Sequence, residues 1–176
     1  MTEAPTPPTK FYQKTWFRYL RDILLVLLVI TGVGLFQTRN LLSTQTPAPQ
    51  WKLRTLDGTP HTLEQYKGKK TLLFFWAPWC TVCHLESNNI KAIKRFYGED
   101  VHVISVALAY EKTPDVQAFI KKHDIDYTVL LGNKATQRAY NVSAFPTLYV
   151  LDEKQRVEHT IVGYTTQLGM HWRLWF

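Results

Sequence analysis

Two regimes of hydrophobic patterning divide the chain. From Ile23 to Phe36 fourteen residues pass without a charge, whereas beyond Trp51 short apolar runs of strand length alternate with stretches in which apolar residues return every three or four positions. The second regime predicts a small hairpin, Lys52 to Leu56 and Thr59 to Leu63 turning at Asp57-Gly58, and then a buried strand from Thr71 to Ala77. A helix is expected at once after it, from about Cys80 to Tyr97. Next come a strand from Val101 to Leu108 and a helix from Pro114 to His123, with Thr113 as N-cap and Pro114 at the first helical position. A strand from Thr128 to Leu131 and a short helix from Lys134 to Tyr140 follow. Beyond Pro146, strands Thr147 to Leu151 and Val157 to Val162 flank a turn at Asp152 to Gln155, and a last helix covers Gln167 to Trp175. Strands alternating with helices and closing on a hairpin imply an α/β fold around a mixed sheet.

The uncharged run reads as membrane targeting. As a helix, fourteen residues rise only about 21 Å, short of the roughly 30 Å hydrocarbon core, so a span must take in Trp16, Phe17, Tyr19 and Leu20 upstream or Leu41 and Leu42 downstream. Arg18, Arg21 and Arg39 would then reach toward the headgroups. A cleaved signal peptide has an apolar stretch of this length, but its exit offers only Gly32 and Gly34 at cleavage-site spacing, and an uncleaved anchor is favoured. Lys10, Lys14, Arg18 and Arg21 precede the run while only Arg39 follows closely. That asymmetry places the N-terminus in the cytoplasm and the bulk of the chain outside, periplasmic or extracytoplasmic, held by one pass through a bacterial inner or plasma membrane. The expected organisation is a cytoplasmic segment (1–20), a transmembrane signal-anchor (21–42), a linker (43–50) and one folded domain (51–176). Residues 43–50 hold no charge, no large apolar side chain and two prolines, which suits a short extended tether.

At 176 residues, 45% of them apolar, the chain is long enough for one domain with a real core. Its formal charge of +7 looks basic, yet the segment beyond residue 50 contributes only +4 of it. No Lys/Arg cluster interleaves with aromatics, so nucleic acid is not an expected partner.

Two cysteines remain to be explained, and a disulfide scaffold would need more. Cys80-Thr81-Val82-Cys83 sits where a buried strand hands over to a helix, and there the N-terminal N–H groups and dipole stabilise a thiolate. Cys80 is the expected nucleophile. Cys83, three residues on, can attack a mixed disulfide formed at Cys80, the resolving step of exchange. A static bridge is the plainer alternative, but closing so short a loop constrains the unfolded chain little. His84 opens another: Cys80-x-x-Cys83-His84 is also the c-type haem attachment pattern, and copper binding could use the same three side chains. Haem would have to displace Leu72 to Ala77, which reads as a central strand. Two sulfurs and one imidazole on a single turn leave a tetrahedral zinc site incomplete, so no metal is assigned.

Phe75-Trp76-Ala77-Pro78-Trp79-Cys80-x-x-Cys83 resembles the active-site segment of thioredoxins, and Phe145-Pro146-Thr147 resembles their cis-proline segment. Leu56-Asp57-Gly58 through Tyr66-Lys67-Gly68-Lys69, the Cys83-x-x-Glu86 spacing and an extra strand-helix unit before Pro146 are similar to the anchored TlpA/ResA-like family, nearest to its suppressor-of-copper-sensitivity protein D type. The resemblance covers residues 51–164. It implies a thioredoxin fold with an N-terminal hairpin and a strand-helix insertion, and thiol–disulfide exchange with protein substrates outside the cytoplasm. It further implies a membrane-bound electron donor of thiol-transfer type, no dissociable cofactor, and Pro146 in cis beside the cysteines. Reduction of substrate disulfides is the favoured direction; oxidation of dithiols would use the same residues.

Glu86 shares a helical stripe with Ile90, Ile93 and Tyr97, so it is expected to be buried one turn from Cys83. A buried carboxyl has a raised pKa and can relay the proton that Cys83 must lose. The plainer alternative pairs it with Lys91 or Lys94. Thioredoxins carry a buried aspartate where this chain has Phe74, leaving Glu86 as the carboxylate for proton transfer. Trp76 is expected in the core, Trp79 and Phe145 at the substrate rim. His61, His102, His123, His159 and His171 show no ligand spacing. For the tail, Leu168 to Phe176, packing on the sheet is favoured over dipping into a membrane interface.

Overall fold

The computed structural model describes residues 11–38 and 41–176. Lys10 and Arg39, counted above as flanking charges, lie outside the described residues. The chain separates into two compact units, Met1–Phe36 and Gln37–Phe176. In the first, α1 (Phe11–Thr38) is one helix whose side chains from Ile23 to Val29 are exposed all round. Among the described residues no helix is long and apolar enough to cross a membrane, so the transmembrane helix expected over 21–42 is not found as such.

The second unit is a seven-stranded sheet with helices on its faces. Its strands are β1 (Lys52–Arg54), β2 (Pro60–Thr62), β3 (Thr71–Trp76), β4 (His102–Ala107), β5 (Thr128–Leu131), β6 (Thr147–Leu151) and β7 (Val157–Val162), in the order β2-β1-β5-β4-β3-β6-β7. β3, β4 and β5 are parallel, and β1 and β6 join them antiparallel. The sheet is therefore mixed, as expected. The helices are α2 (Thr81–Tyr97), α3 (Thr113–His123), α4 (Lys134–Ala139) and α5 (Gln167–Trp175).

β3 lies near the middle of the sheet with all six residues buried, which is why it reads as an unbroken apolar run rather than an alternating one. Successive side chains still serve opposite faces. Leu72, Phe74 and Trp76 join Ile90 and Ile93 of α2, Val116 and Phe119 of α3, and Met170 and Leu174 of α5. Leu73 and Phe75 join Trp51, Leu63, Tyr140 and Tyr149 on the other side. At Gly132, after β5, a Cβ would sit 2.5 Å from Val106 Cγ1 and 2.9 Å from the Ala107 carbonyl oxygen, so the close approach of backbone to β4 requires glycine.

Four expectations need correction. The hairpin strands are shorter than their pattern, because Leu63 opens a 3-10 turn, Leu63–Tyr66, that carries its side chain into the core. The Pro114 helix begins one residue early: Lys112 is the N-cap, its N–H donating to the Asp115 carboxylate at 3.2 Å, so Thr113 is already helical. Cys80 is the N-cap of α2, just outside the helix. The stretch 43–50 is no free tether. The Gln45 N–H donates to Val157 O at 2.7 Å, the Val157 N–H to Thr46 O at 2.9 Å and the Ala48 N–H to Gln155 O at 2.8 Å, while Leu41 and Ala48 are buried. A chain low in apolar residues docks here chiefly because its backbone groups find partners at the sheet edge, with Ala48 alone of this stretch joining the core.

Candidate active site

The topology puts the cysteine pair at the C-terminal end of the parallel strands. β3 ends at Trp76, Ala77 and Pro78 turn the chain, and Cys80 caps α2 in an extended conformation (φ −80°, ψ 107°). The Cys83 N–H donates to Cys80 Sγ at 3.1 Å, an orphan helix-terminal N–H satisfied by sulfur. Cys80 and Cys83 are joined as a disulfide, with Cα atoms 5.2 Å apart and both side chains buried. Such an N–H, together with the dipole of a 17-residue helix, favours charge on Cys80 over Cys83 once the bond is opened.

The rim forms from loops that meet at this end. Trp79 is 66% exposed, yet its orientation is fixed: the indole Nε1–H donates to Ala109 O at 2.8 Å and the ring meets Phe145 edge-on at 5.7 Å. The Phe145–Pro146 peptide bond is cis, as the resemblance implied, and Thr147 directly after it pairs with Phe75. That pairing carries Pro146 to the same end of the sheet as the cysteines. Beside Trp79 lies a cleft of about 420 Å³ lined by Pro78, His84, Tyr110, Asp115, Phe119 and Lys122, among others.

Glu86 is fully buried in α2. One carboxylate oxygen accepts from the Thr165 N–H at 3.2 Å and the other, Oε1, has no hydrogen-bond partner among the described residues. Burial pushes the carboxyl up to about 7, with the Thr165 N–H pulling the other way. The lysines that could have held it outside are engaged elsewhere, Lys91 with Asp124 at 3.2 Å and Lys94 with Glu99 at 2.9 Å. Phe74, which replaces the aspartate of thioredoxins, is buried in the same core as Ile90 and Ile93.

Sequence reasoning misses the groups that complete this site. Thr165 contributes only a backbone N–H, and Asn89 holds the Thr165 carbonyl at 3.0 Å from 76 residues away. His123 shows no ligand spacing along the chain, but its Nε2 lies 2.5 Å from His84 Nδ1, and both rings pack on Phe119 at 4.7 Å. Burial lowers the pKa of both histidines, and the Lys122 charge acts in the same direction. No sequence signal marks these partners, because none depends on local spacing. His84, the imidazole of the haem-attachment pattern, turns its Nδ1 toward His123.

The Redoxin family model matches residues 43–169. The chain belongs to the Redoxin family. It is 34% identical over 164 residues to thioredoxin-like protein YneN of Bacillus subtilis, covering 89% of this chain and 96% of that one. Thiol-disulfide oxidoreductase ResA of Geobacillus kaustophilus is 28% identical over 153 residues, 82% of this chain and 86% of the relative. Among solved structures, a thiol:disulfide interchange protein of Chlorobium tepidum superposes with a TM-score of 0.67 at 26% identity, over 76% of this chain and 96% of its own. This Redoxin domain has the thioredoxin fold, and the protein is a thiol–disulfide oxidoreductase acting on protein thiols. Its cysteine pair lies where such exchange needs it.

Proposed function

We propose that the protein reduces disulfides in protein substrates outside the cytoplasm, from a membrane-held position. The observation that carries the chemistry is the Cys83 N–H aimed at Cys80 Sγ, which singles out Cys80 as the sulfur whose anion is stabilised. In the reduced protein the Cys80 thiolate attacks one sulfur of a substrate disulfide, forming a mixed disulfide and expelling one substrate thiolate. Cys83 then gives its proton to Glu86 and attacks Cys80 Sγ, releasing the second substrate thiolate and closing the 80–83 bond. A carboxyl near 7 is poised for this, since at neutral pH a substantial fraction is ionised and able to accept the proton. Trp79, Phe145 and Pro146 border the groove in which the substrate chain lies. The closed disulfide is returned to the dithiol by a membrane-bound donor of thiol-transfer type.

The anchor rests on the uncharged run Ile23–Phe36, the basic residues before it and the apolar side chains exposed around α1. Because the run alone is short, the flanking Trp16, Phe17, Tyr19 and Leu20 complete it. Three measurements test the proposal. Insulin should be reduced in the presence of dithiol, and a Cys83→Ser variant should accumulate mixed disulfides at Cys80 in cells; no turnover with intact cysteines and no adducts would sink it. Membranes washed with alkaline carbonate should retain the full chain, and release into the wash would remove the anchor.

A further inference from the structure

The end of the domain opposite the disulfide carries an apolar surface that the redox chemistry does not use. α2 runs away from Cys80 for 17 residues, which sets its last turn about 25 Å from the cysteines. α5 runs beside it in the same direction: Gln167 reaches Asn89 at 3.4 Å, and His171 meets the Tyr97 hydroxyl at 3.1 Å further down. Met170 and Leu174 are buried against the sheet. Leu168, Trp172, Trp175 and Phe176, spaced four, three and one residues apart, leave the other face of α5 apolar and exposed. Phe96 at the end of α2, 72% exposed, joins them across His171, the two rings 4.6 Å apart. Trp172 and Trp175 are 63% and 79% exposed, so this is a cluster rather than a scatter of single residues.

We propose that this aromatic pole sits in the headgroup region of the membrane that takes the apolar run of α1; the inference rests on the anchor reading above. Three observations choose lipid over a protein partner. The side chains are of interfacial type, indoles with an apolar body and a polar N–H. The segment from Gln167 to Phe176 holds His171 and Arg173 and no acid, which suits anionic headgroups; at this end Glu99 and Glu158 are each paired with a lysine, while Asp100 and Glu153 are exposed. The third is covalent. The chain joins the domain at this same end, because Gln45 and Thr46 clasp Val157, which pairs with Leu151, which pairs in turn with Thr71 at the start of β3. Between Thr38, the end of α1, and Leu41, buried in the domain, three residue steps span at most about 11 Å.

The test uses the full chain reconstituted in vesicles of phosphatidylcholine and phosphatidylglycerol, with acyl chains brominated either near the glycerol or near the chain end. Trp172→Phe with Trp175→Phe keeps the apolar face and removes its fluorophores, so the difference in emission from wild type isolates the pole. That difference should be strongly quenched by shallow bromines and less by deep ones. Protein that resists carbonate extraction but shows no quenching of this component overturns the inference while leaving the anchor. Cross-linking that finds the face covered by a second copy or another protein does the same. Protein that carbonate extracts overturns the anchor and this inference with it.

Discussion

The two ends of α2 break the usual rule of burial in opposite senses. At its N-terminal end the helix buries Glu86 completely beside a buried Cys83, and at its C-terminal end it leaves Phe96 open to the outside. Carboxylates are normally exposed and large aromatics normally buried. Each inversion carries a cost in folding free energy that the rest of the fold offsets. A desolvated carboxyl one turn from a cysteine fits the proton transfer proposed for it, and an undesolvated aromatic cluster fits the proposed partner that supplies the missing apolar environment. On these two proposals one helix holds a reactive end and a docking end apart by its own length.

Substitutions at the two ends should separate these roles, and the largest effect belongs to the reactive end. Cys80→Ser should lower insulin reduction to the background rate with the circular dichroism of the fold intact, whereas Phe96→Ser should leave the rate in detergent unchanged; a loss in both would merge the two ends. Next come the two faces of α5. Leu174→Ala, on the buried face, should cost about 2–5 kcal/mol in denaturant unfolding, while Trp172→Ala, on the exposed face of the same helix, should stay within about 0.5 kcal/mol. Glu86→Gln should slow resolution of the mixed disulfide by about 100-fold and remove an inflection near neutral pH from the rate profile. A merely structural Glu86 would not move that inflection.

A smaller effect tests the burial of Glu86 directly. Its folded-state pKa is raised to about 7 from an ordinary 4.5, so the folded protein binds the proton more tightly than the unfolded chain. The protonated carboxyl's contribution is therefore fully present below about pH 4.5 and is lost as pH rises through 7. Relative to Glu86→Gln, wild type should lose stability across that window and then level off, as read by denaturant melts at about pH 4.5, 6 and 8. At the rim, Trp79→Phe removes the N–H bond to Ala109 and should cost about 1 kcal/mol, less if water replaces it.

Much of this is legible along the chain. The unbroken run of β3, the helical stripe from Glu86 through Ile90 and Ile93, and Cys80 at their junction follow from periodicity and capping chemistry, which act over a few residues. The tail shows where such reading stops. Leu168 to Phe176 is apolar on two faces, and the sequence alone leads to a choice between packing and an interface, whereas the structure gives Met170 and Leu174 to the core and leaves Trp172 and Trp175 outside. The docking of 43–50 escapes the sequence for a related reason, since it rests on backbone hydrogen bonds to Val157 and Gln155, to which composition is blind.

By itself the sequence determined the order of strands and helices, the reactive cysteine spacing and the burial of Glu86, because these depend on neighbours within a turn or two. Only the tertiary structure decided that Thr165 would hold the carboxyl, that His123 would meet His84, and that the aromatic tail would gather with Phe96 at the end where the chain joins the domain. The first two of those contacts span 79 and 39 residues. They exist because the sheet order carries distant segments to one edge or one helix face, and no local preference encodes that.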